Sequence, residues 1–153
     1  MEQEKTVANE QYQYCTFFLD DLFFGIEVEK VQEIVRYQEM TPVPLAPPEV
    51  GGLINLRGQI VTAIDLRHRL RLPLRPTNQL PLNVVARTKD GTVSLMVDEI
   101  GDVLEVHECE FEPPPDTLIG DIYKLIRGAY KLQDRLLLVL NVEETLELTP
   151  LVS

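Results

Sequence analysis

The chain has 153 residues, of which 44% are hydrophobic, and 25 acidic against 14 basic residues give it a formal net charge of −11. This length is enough for one ordinary domain or for two small fused subdomains with a real core. The negative charge argues against binding to nucleic acid or to an anionic membrane surface, because both require a positive field.

The beginning of the chain, 1–11, is polar and acidic and lacks the apolar segment of a signal peptide, so we predict a disordered lead. Apolar runs such as Leu136–Leu140 are far shorter than the roughly 20 residues that span a bilayer. We therefore expect a cytoplasmic protein without direct membrane insertion. Cys15 and Cys109 agree with a reducing compartment, and we expect no disulfide between them.

The first elements are a predicted hairpin and a predicted helix. Tyr12–Leu19 is rich in aromatic and β-branched residues, which indicates a strand, and Leu22–Ile26 returns as its partner. Apolar residues three apart among charged ones predict a short amphipathic helix over Val28–Ile34. Four prolines then make Thr41–Val50 a loop.

The most strongly patterned stretch is Gly51–Leu70. It predicts a strand, a tight turn at Arg57–Gly58, a second strand and a short helical turn that Asp65 can cap. Arg57 has two interpretations: a surface arginine at a hairpin, or a charge held by a carboxylate, with Glu33 as the candidate, and offered to a partner. The residues alone leave both open.

The second half follows a proline-rich crossover at Arg71–Pro81 and also predicts short strands. These are expected at Leu82–Thr88, Thr92–Val97, Ile100–Val106, Ile122–Tyr130 and Leu132–Val142. Asp90-Gly91 is a strong hairpin turn, and the lack of alternation in Leu136–Leu140 predicts burial on both faces of that strand. A short helix is predicted over Val142–Leu146. About ten short strands in two groups of five favour an all-β barrel fold.

The residues do not predict an enzyme or a metal site. His68 and His107 are the only histidines, and neither belongs to a triad or phosphate-loop signature. The segment 107–112 carries several metal-ligand types, but a solvated acidic loop explains them better. Asp98, Glu99 and Asp102 are interpreted as turn residues at an exposed edge. We expect no catalytic, cofactor-binding or metal-binding residue.

Several motifs in order resemble the CheW family of chemotaxis coupling proteins. They are Gly-Gly-Leu-Ile-Asn-Leu-Arg-Gly-Gln-Ile-Val-Thr-Ala-Ile-Asp-Leu-Arg from position 51, Phe24–Ile26, Val31–Ile34, Leu95–Asp98 and Asp134–Val142. The resemblance spans Tyr12 to Leu146. It implies one domain over 12–147, built from two SH3-like five-stranded β-barrels at roughly 12–72 and 82–142, with chain ends able to cross between them and a tail at 148–153.

The resemblance implies no enzymatic activity and no cofactor. It implies an adaptor that couples the cytoplasmic helical tip of a chemoreceptor to the regulatory domain of a CheA-type histidine kinase, in arrays at the inner face of the membrane. The implied receptor-binding groove comprises Val31, Glu33, Gly52, Arg57, Leu82, Ile100 and Val103. Glu33 and Arg57 are also implied to form a structural ion pair. The implied kinase and ring interface comprises Glu112, Pro113, Pro114, Pro115, Asp116 and Thr117.

Three other interpretations stay open at this point. One is an adaptor of a separate chemosensory system that controls twitching motility or gene expression. Another is an enzyme or ligand-binding protein built on a double barrel, which requires a buried polar constellation. The third is a fragment of a longer chain rather than a stand-alone adaptor, and of these two possibilities we expect a stand-alone adaptor.

Overall fold

The computed structural model describes residues 10–118 and 120–147. The predicted lead over 1–11 falls outside this part except at Glu10 and Gln11, and the predicted tail over 148–153 lies outside it entirely. The described residues form ten strands and a few short helices, so the protein is mainly β, as predicted.

The strands follow the chain in this order. They are Gln11–Leu19 (β1), Leu22–Glu27 (β2), Val31–Val35 (β3), Val50–Leu56 (β4), Gln59–Asp65 (β5), Leu82–Thr88 (β6), Gly91–Val97 (β7), Glu99–His107 (β8), Ile126–Lys131 (β9) and Leu136–Leu140 (β10). The α-helices are Leu66–Arg69 (α1), Asp121–Leu125 (α2) and Val142–Thr145 (α3), and 3-10 turns occupy Val28–Lys30 and Glu108–Glu110.

The ten strands form two five-stranded sheets, with the order β8-β1-β2-β10-β9 in the first and β3-β6-β7-β5-β4 in the second. The predicted two groups of five are confirmed, but they do not coincide with the sequence halves 12–72 and 82–142. The N-terminal hairpin joins the last three strands, because β2 pairs in parallel with β10. Pairing between such distant segments depends on tertiary packing, which no local pattern reports.

Each sheet curls so that its own two edges approach each other. In the second sheet, a bridge between Thr41 and Leu53 connects the segment after β3 to β4. In the first sheet, Glu112 follows β8 and exchanges two backbone hydrogen bonds of 2.9 Å with Ala129 in β9. The curling turns each sheet into a small barrel whose edges are largely protected from pairing with other chains.

The core has three parts. The largest lies between the sheets and combines side chains of the first, such as Phe17 and Phe24, with side chains of the second, such as Leu95 and Val97. A smaller cluster around Leu137 and Val139 fills the first barrel, and another fills the second. β10 contributes to both the central and the first-barrel cluster, which confirms its burial on both faces.

Two helix and strand predictions are wrong. The amphipathic helix expected over Val28–Ile34 is a 3-10 turn at Val28–Lys30 followed by β3, because the β-branched residues of this segment complete a ladder with β6. The strand expected from Ile122 begins only at Ile126, after the helix α2. In the first case pairing with a distant strand decides between helix and strand, and in the second the ladder with β10 extends only as far as Ile126.

Candidate functional site

Glu33 and Arg57 form an ion pair on the surface of the second barrel. Glu33 lies in β3, and Arg57 occupies the tight turn between β4 and β5, where its Nη2 donates to Glu33 Oε2. The Asn55 side chain accepts a hydrogen bond of 2.8 Å from the Gly58 amide and stabilises that turn. The Arg57 side chain is 71% exposed and that of Glu33 23%. The pair therefore links the two edge strands of the barrel while the guanidinium stays accessible.

Gly52 lies under the chain segment that connects β3 to β4. Its φ of +149° is a conformation that glycine favours, and a Cβ there would lie 2.8 Å from Thr41 O and 2.9 Å from Met40 Cβ. The residue is buried. Its place in the predicted groove is therefore explained by backbone packing: it lets the connecting segment lie directly against β4.

We expect Gly52→Ala to lower the free energy of unfolding by about 2–4 kcal/mol, because the added methyl group meets backbone in addition to the unfavourable φ. Gly58→Ala is the matched control. Gly58 also has a positive φ, +91°, but no atom lies within 4 Å of a Cβ added there. The control should cost only about 1 kcal/mol. Equal losses of the two variants in urea titrations would contradict a packing role for Gly52.

The apolar residues predicted for the groove divide between two environments. Val31, Leu82 and Ile100 are half-buried and pack against the central core between the sheets. Leu82 pairs with Val97 in the second sheet. Val103 lies on the edge strand β8 and is 56% exposed. The structure thus brings three of these residues to one core and leaves Val103 open to solvent.

The predicted interface loop, 112–117, is attached at its beginning and exposed beyond it. Phe111 packs its ring 5.3 Å from that of Tyr130 and covers Gly128. Glu112 then bridges to Ala129, as described above. Glu112, Pro113, Asp116 and Thr117 are exposed, whereas Pro114 and Pro115 are half-buried.

A groove of about 490 Å³ adjoins this loop. We call it the hairpin groove, because the tips of the β1–β2 and β9–β10 hairpins line it together with Pro115 and Thr117. Three acidic residues, Asp20, Asp21 and Asp134, lie around it, and Leu22 and Leu138 contribute apolar surface. The loop and the two hairpins therefore form one continuous surface.

Arg135 is a residue of this surface that the sequence interpretation missed. Its guanidinium lies 5.3 Å from the Phe18 ring centroid and 5.0 Å from that of Phe23. Such a cation–π arrangement holds the arginine in place while its side chain stays 43% exposed. The alternation of β1 offered a signal, since Phe17 and Phe18 cannot both point into the central core.

The interpretation of Asp98 as an exposed turn residue is wrong. Its side chain is 5% exposed and lies between two arginines, Arg67 at 7% and Arg75 at 8%. Burial raises the pKa of Asp98, but hydrogen bonds from Arg67, the Asp20 amide and Arg75 outweigh it and leave that pKa below its ordinary value of 3.8. The carboxylate therefore stays ionised inside the protein.

This environment predicts an acid-dependent contribution to stability. Because the pKa is lower in the folded than in the unfolded chain, the carboxylate stabilises the fold above about pH 3.8 and loses this effect as the pH falls through the folded pKa. We expect the difference in unfolding free energy between wild type and Asp98→Asn to be largest near neutral pH and to shrink below about pH 3.8. Urea titrations across this range measure it, and a pH-independent difference would contradict the prediction.

The other His, Cys, Asp and Glu residues of the described part do not form a metal site. Within 10–118 and 120–147, no three His, Cys, Asp or Glu side chains come together in a way that suits a metal ion. Cys15 and Cys109 are both free thiols. In the same described residues, no helix has the length and apolar character needed to cross a membrane.

Comparison with known proteins shows the family of the chain. A CheW-like domain model matches residues 13–149. The chain is 34% identical to the chemotaxis protein CheW of Bacillus subtilis (strain 168), over 86% of this chain and 84% of that one. It is 31% identical to the chemotaxis protein CheW of Treponema pallidum (strain Nichols), over 90% and 84% of the two chains.

The fold also matches a solved structure. The scaffolding protein TtCheW from Thermoanaerobacter tengcongensis superposes with a TM-score of 0.82 at 25% sequence identity, covering 90% of this chain and 94% of that one. The agreement of family model, curated relatives and structure extends over nearly the whole double barrel. The chain belongs to the CheW-like domain family of chemotaxis proteins.

Proposed function

We propose that this protein is a non-enzymatic coupling adaptor that holds a chemoreceptor and a CheA-type histidine kinase in one chemosensory assembly. The observation that carries the proposal is the CheW-like match over residues 13–149, with relatives named as chemotaxis and scaffolding proteins. An adaptor needs two separate partner surfaces on one rigid body. The double barrel with a shared core is such a body.

The receptor surface is proposed around the Glu33–Arg57 pair. The exposed guanidinium offers planar donors at the rim, and the pair fixes its direction. Val31, Leu82 and Ile100 supply apolar surface, Gly52 shapes the backbone, and Val103 adds exposed apolar area on β8. An apolar groove with a charged rim suits the amphipathic helices of a receptor's cytoplasmic tip.

The kinase surface is proposed on the loop 112–117. The loop is exposed but anchored through Phe111 and Glu112, so it can bind without first becoming ordered. The adjoining hairpin groove adds apolar and acidic contacts. We propose that the regulatory domain of the kinase binds here and that alternating copies assemble into rings.

The proposed location is the cytoplasm, at receptor arrays beneath the membrane. Recruitment by the receptor explains membrane association, because the net charge of −11 opposes binding to an anionic bilayer. The same charge opposes nucleic-acid binding. CheW-family proteins act as scaffolds, and the proposed activity is binding alone.

Reconstitution with receptor and kinase of the same bacterium tests this function. Receptor cytoplasmic domains on vesicles should retain the kinase only when the adaptor is present, and kinase autophosphorylation should then become receptor-dependent. Adaptor premixed with excess soluble receptor domain is the control and should abolish the retention. Failure of the wild-type protein to bind either partner would overturn the proposal.

A further inference from the structure

The chain passes between the two sheets at two places among the described residues. The first is the 3-10 turn Val28–Lys30, which leads from β2 to β3. The second is Asp98, the single residue between the end of β7 at Val97 and the start of β8 at Glu99. The Asp98 amide donates a hydrogen bond of 3.0 Å to Phe18 O in the first sheet. Asp98 thus lies at the point where the chain passes from the second sheet to the first.

The Asp98 carboxylate connects three further segments at this crossing. Oδ2 accepts a hydrogen bond of 2.8 Å from the Asp20 amide, at the tip of the β1–β2 hairpin in the first sheet. Arg67 of α1, beside the second sheet, donates through Nε at 3.1 Å to Oδ1 and 3.0 Å to Oδ2, and also through Nη2. Arg75 of the proline-rich loop donates through Nε to Oδ1 at 3.0 Å. One carboxylate therefore joins both sheets and the proline-rich loop Arg71–Pro81, which connects α1 to β6 of the second sheet and is not the crossover between barrels that the sequence predicted.

The arginines extend this network along the proline-rich loop. Arg67 Nη1 donates to Pro73 O at 2.9 Å and Leu74 O at 3.4 Å. Arg75 Nη2 lies 2.9 Å from Asp98 Oδ1 but makes no hydrogen bond of its own. All three ionic side chains are more than nine-tenths buried. A buried ionic cluster of this kind tolerates little displacement, because any movement leaves a charge unpaired away from water.

The network adjoins both proposed partner surfaces. Val97, directly before Asp98, pairs with Leu82, and Ile100, two residues after it, pairs with Phe17. Leu82 and Ile100 belong to the proposed receptor surface. On the other side, Asp20 lines the hairpin groove together with Pro115 and Thr117 of the proposed kinase surface.

We infer that Asp98 is a positioning residue of the adaptor, whose carboxylate fixes the setting of the two sheets and thereby the relation between the receptor surface and the kinase surface. This inference rests on the proposed function. The carboxylate touches neither partner. It acts by keeping the two surfaces in the one geometry in which a bound receptor changes the activity of a bound kinase.

Stability alone does not explain the cluster. Apolar residues of similar volume often replace a buried ionic group without loss of stability. The central core already holds the sheets together through residues such as Phe24 and Leu95. Apolar packing is not directional, whereas a carboxylate with fixed donors on three sides permits one orientation. The cluster therefore specifies the angle between the two sheets, which apolar packing of the core defines less strictly.

Two variants separate positioning from stability. Asp98→Asn keeps the shape but weakens the hydrogen bonds, and the triple variant Arg67→Met, Arg75→Met, Asp98→Leu makes the cluster apolar. Asp102→Asn is the control, since Asp102 lies exposed on β8. We expect the triple variant to unfold at a wild-type urea concentration and to bind receptor and kinase singly with unchanged affinity. Receptor-dependent kinase activation should fall at least about tenfold.

Activation at the wild-type level by the folded triple variant would overturn the inference, as would losses of activation and of single-partner binding in equal proportion. A distance measurement decides the matter without partners. Spin labels on the exposed native Cys109 and on Gln59→Cys, in a Cys15→Ser background, span the two sheets. Asp98→Asn should shift or broaden the wild-type distance distribution, and an unchanged distribution would also overturn the inference. Wild-type protein that binds no receptor refutes the proposed function but leaves this distance test valid.

Discussion

Replacing Arg57 by glutamate is expected to lower receptor binding at least about tenfold, or about 1.4 kcal/mol, while the protein stays folded. The variant removes an exposed cation and places a carboxylate against Glu33, so the rim of the proposed receptor surface loses both its donors and its direction. The pair lies at the surface, so its loss should change the unfolding free energy by less than about 1 kcal/mol. Titration of labelled receptor domain and urea unfolding measure the two effects separately.

The charge-swapped double variant Glu33→Arg, Arg57→Glu distinguishes a structural pair from a direct contact. If the pair only holds β3 against the turn between β4 and β5, the swap restores receptor binding. If Arg57 also binds the receptor, binding stays weak although the pair is re-formed. Gln59→Ala, an exposed change in the same hairpin, is the control. Wild-type receptor binding by Arg57→Glu alone would remove Arg57 from the proposed surface.

Replacing Gly128 by alanine is expected to detach the loop 112–117 from the first barrel. The added Cβ would lie 2.1 Å from Phe111 Cζ and 2.5 Å from Glu112 O, so both anchors of the loop must move. Overpacking of this kind should cost about 1–3 kcal/mol in unfolding free energy. Because the loop carries the proposed kinase surface, kinase binding should fall at least about tenfold. Receptor binding should not change, since the Glu33–Arg57 pair belongs to the other barrel and the atoms nearest the added methyl group belong to Phe111 and Glu112, not to Ile100 or Val103.

Two variants check this separation. Phe111→Ala removes the ring that packs against Tyr130 and should weaken kinase binding in the same direction. Gly91→Ala adds the same methyl group where nothing lies within 4 Å, and it should leave kinase binding unchanged. Calorimetric titration with the kinase regulatory domain provides the measurement. Loss of receptor and kinase binding together in Gly128→Ala would show general unfolding and contradict the separation of the two surfaces.

The two proposed surfaces use different residues of one chemotaxis adaptor, although β8 of the first sheet contributes Ile100 and Val103 to the receptor surface. The Glu33–Arg57 pair belongs to the second sheet, and the loop 112–117 is anchored to the first. Variants of one surface should therefore leave the other intact, whereas variants at Asp98 should affect their relation. Measurements of receptor binding, kinase binding and kinase activation on these variants can therefore assign each effect to separate residues.

Local sequence patterns predicted the elements that local chemistry determines. The turn at Arg57–Gly58 and the cap by Asp65 on His68 N depend on residues within a few positions of one another, and the unbroken apolar run of β10 is a local signal of burial on both faces. The segment Val28–Ile34 misled the prediction because its apolar spacing also fits a strand. Pairing with β6 decided in favour of the strand.

The sequence by itself determined the composition of the core, the number of strands and the resemblance to the CheW family, because these follow from residue type and short-range spacing. Only the tertiary structure decided which strands share a sheet, since β2 and β10 meet across more than a hundred residues. It also decided that Asp98 is buried between Arg67 and Arg75, and that Arg135 lies over Phe18 and Phe23. In the sequence, a buried carboxylate at a turn is indistinguishable from an exposed one. Its burial depends on three segments that meet only when both sheets have folded.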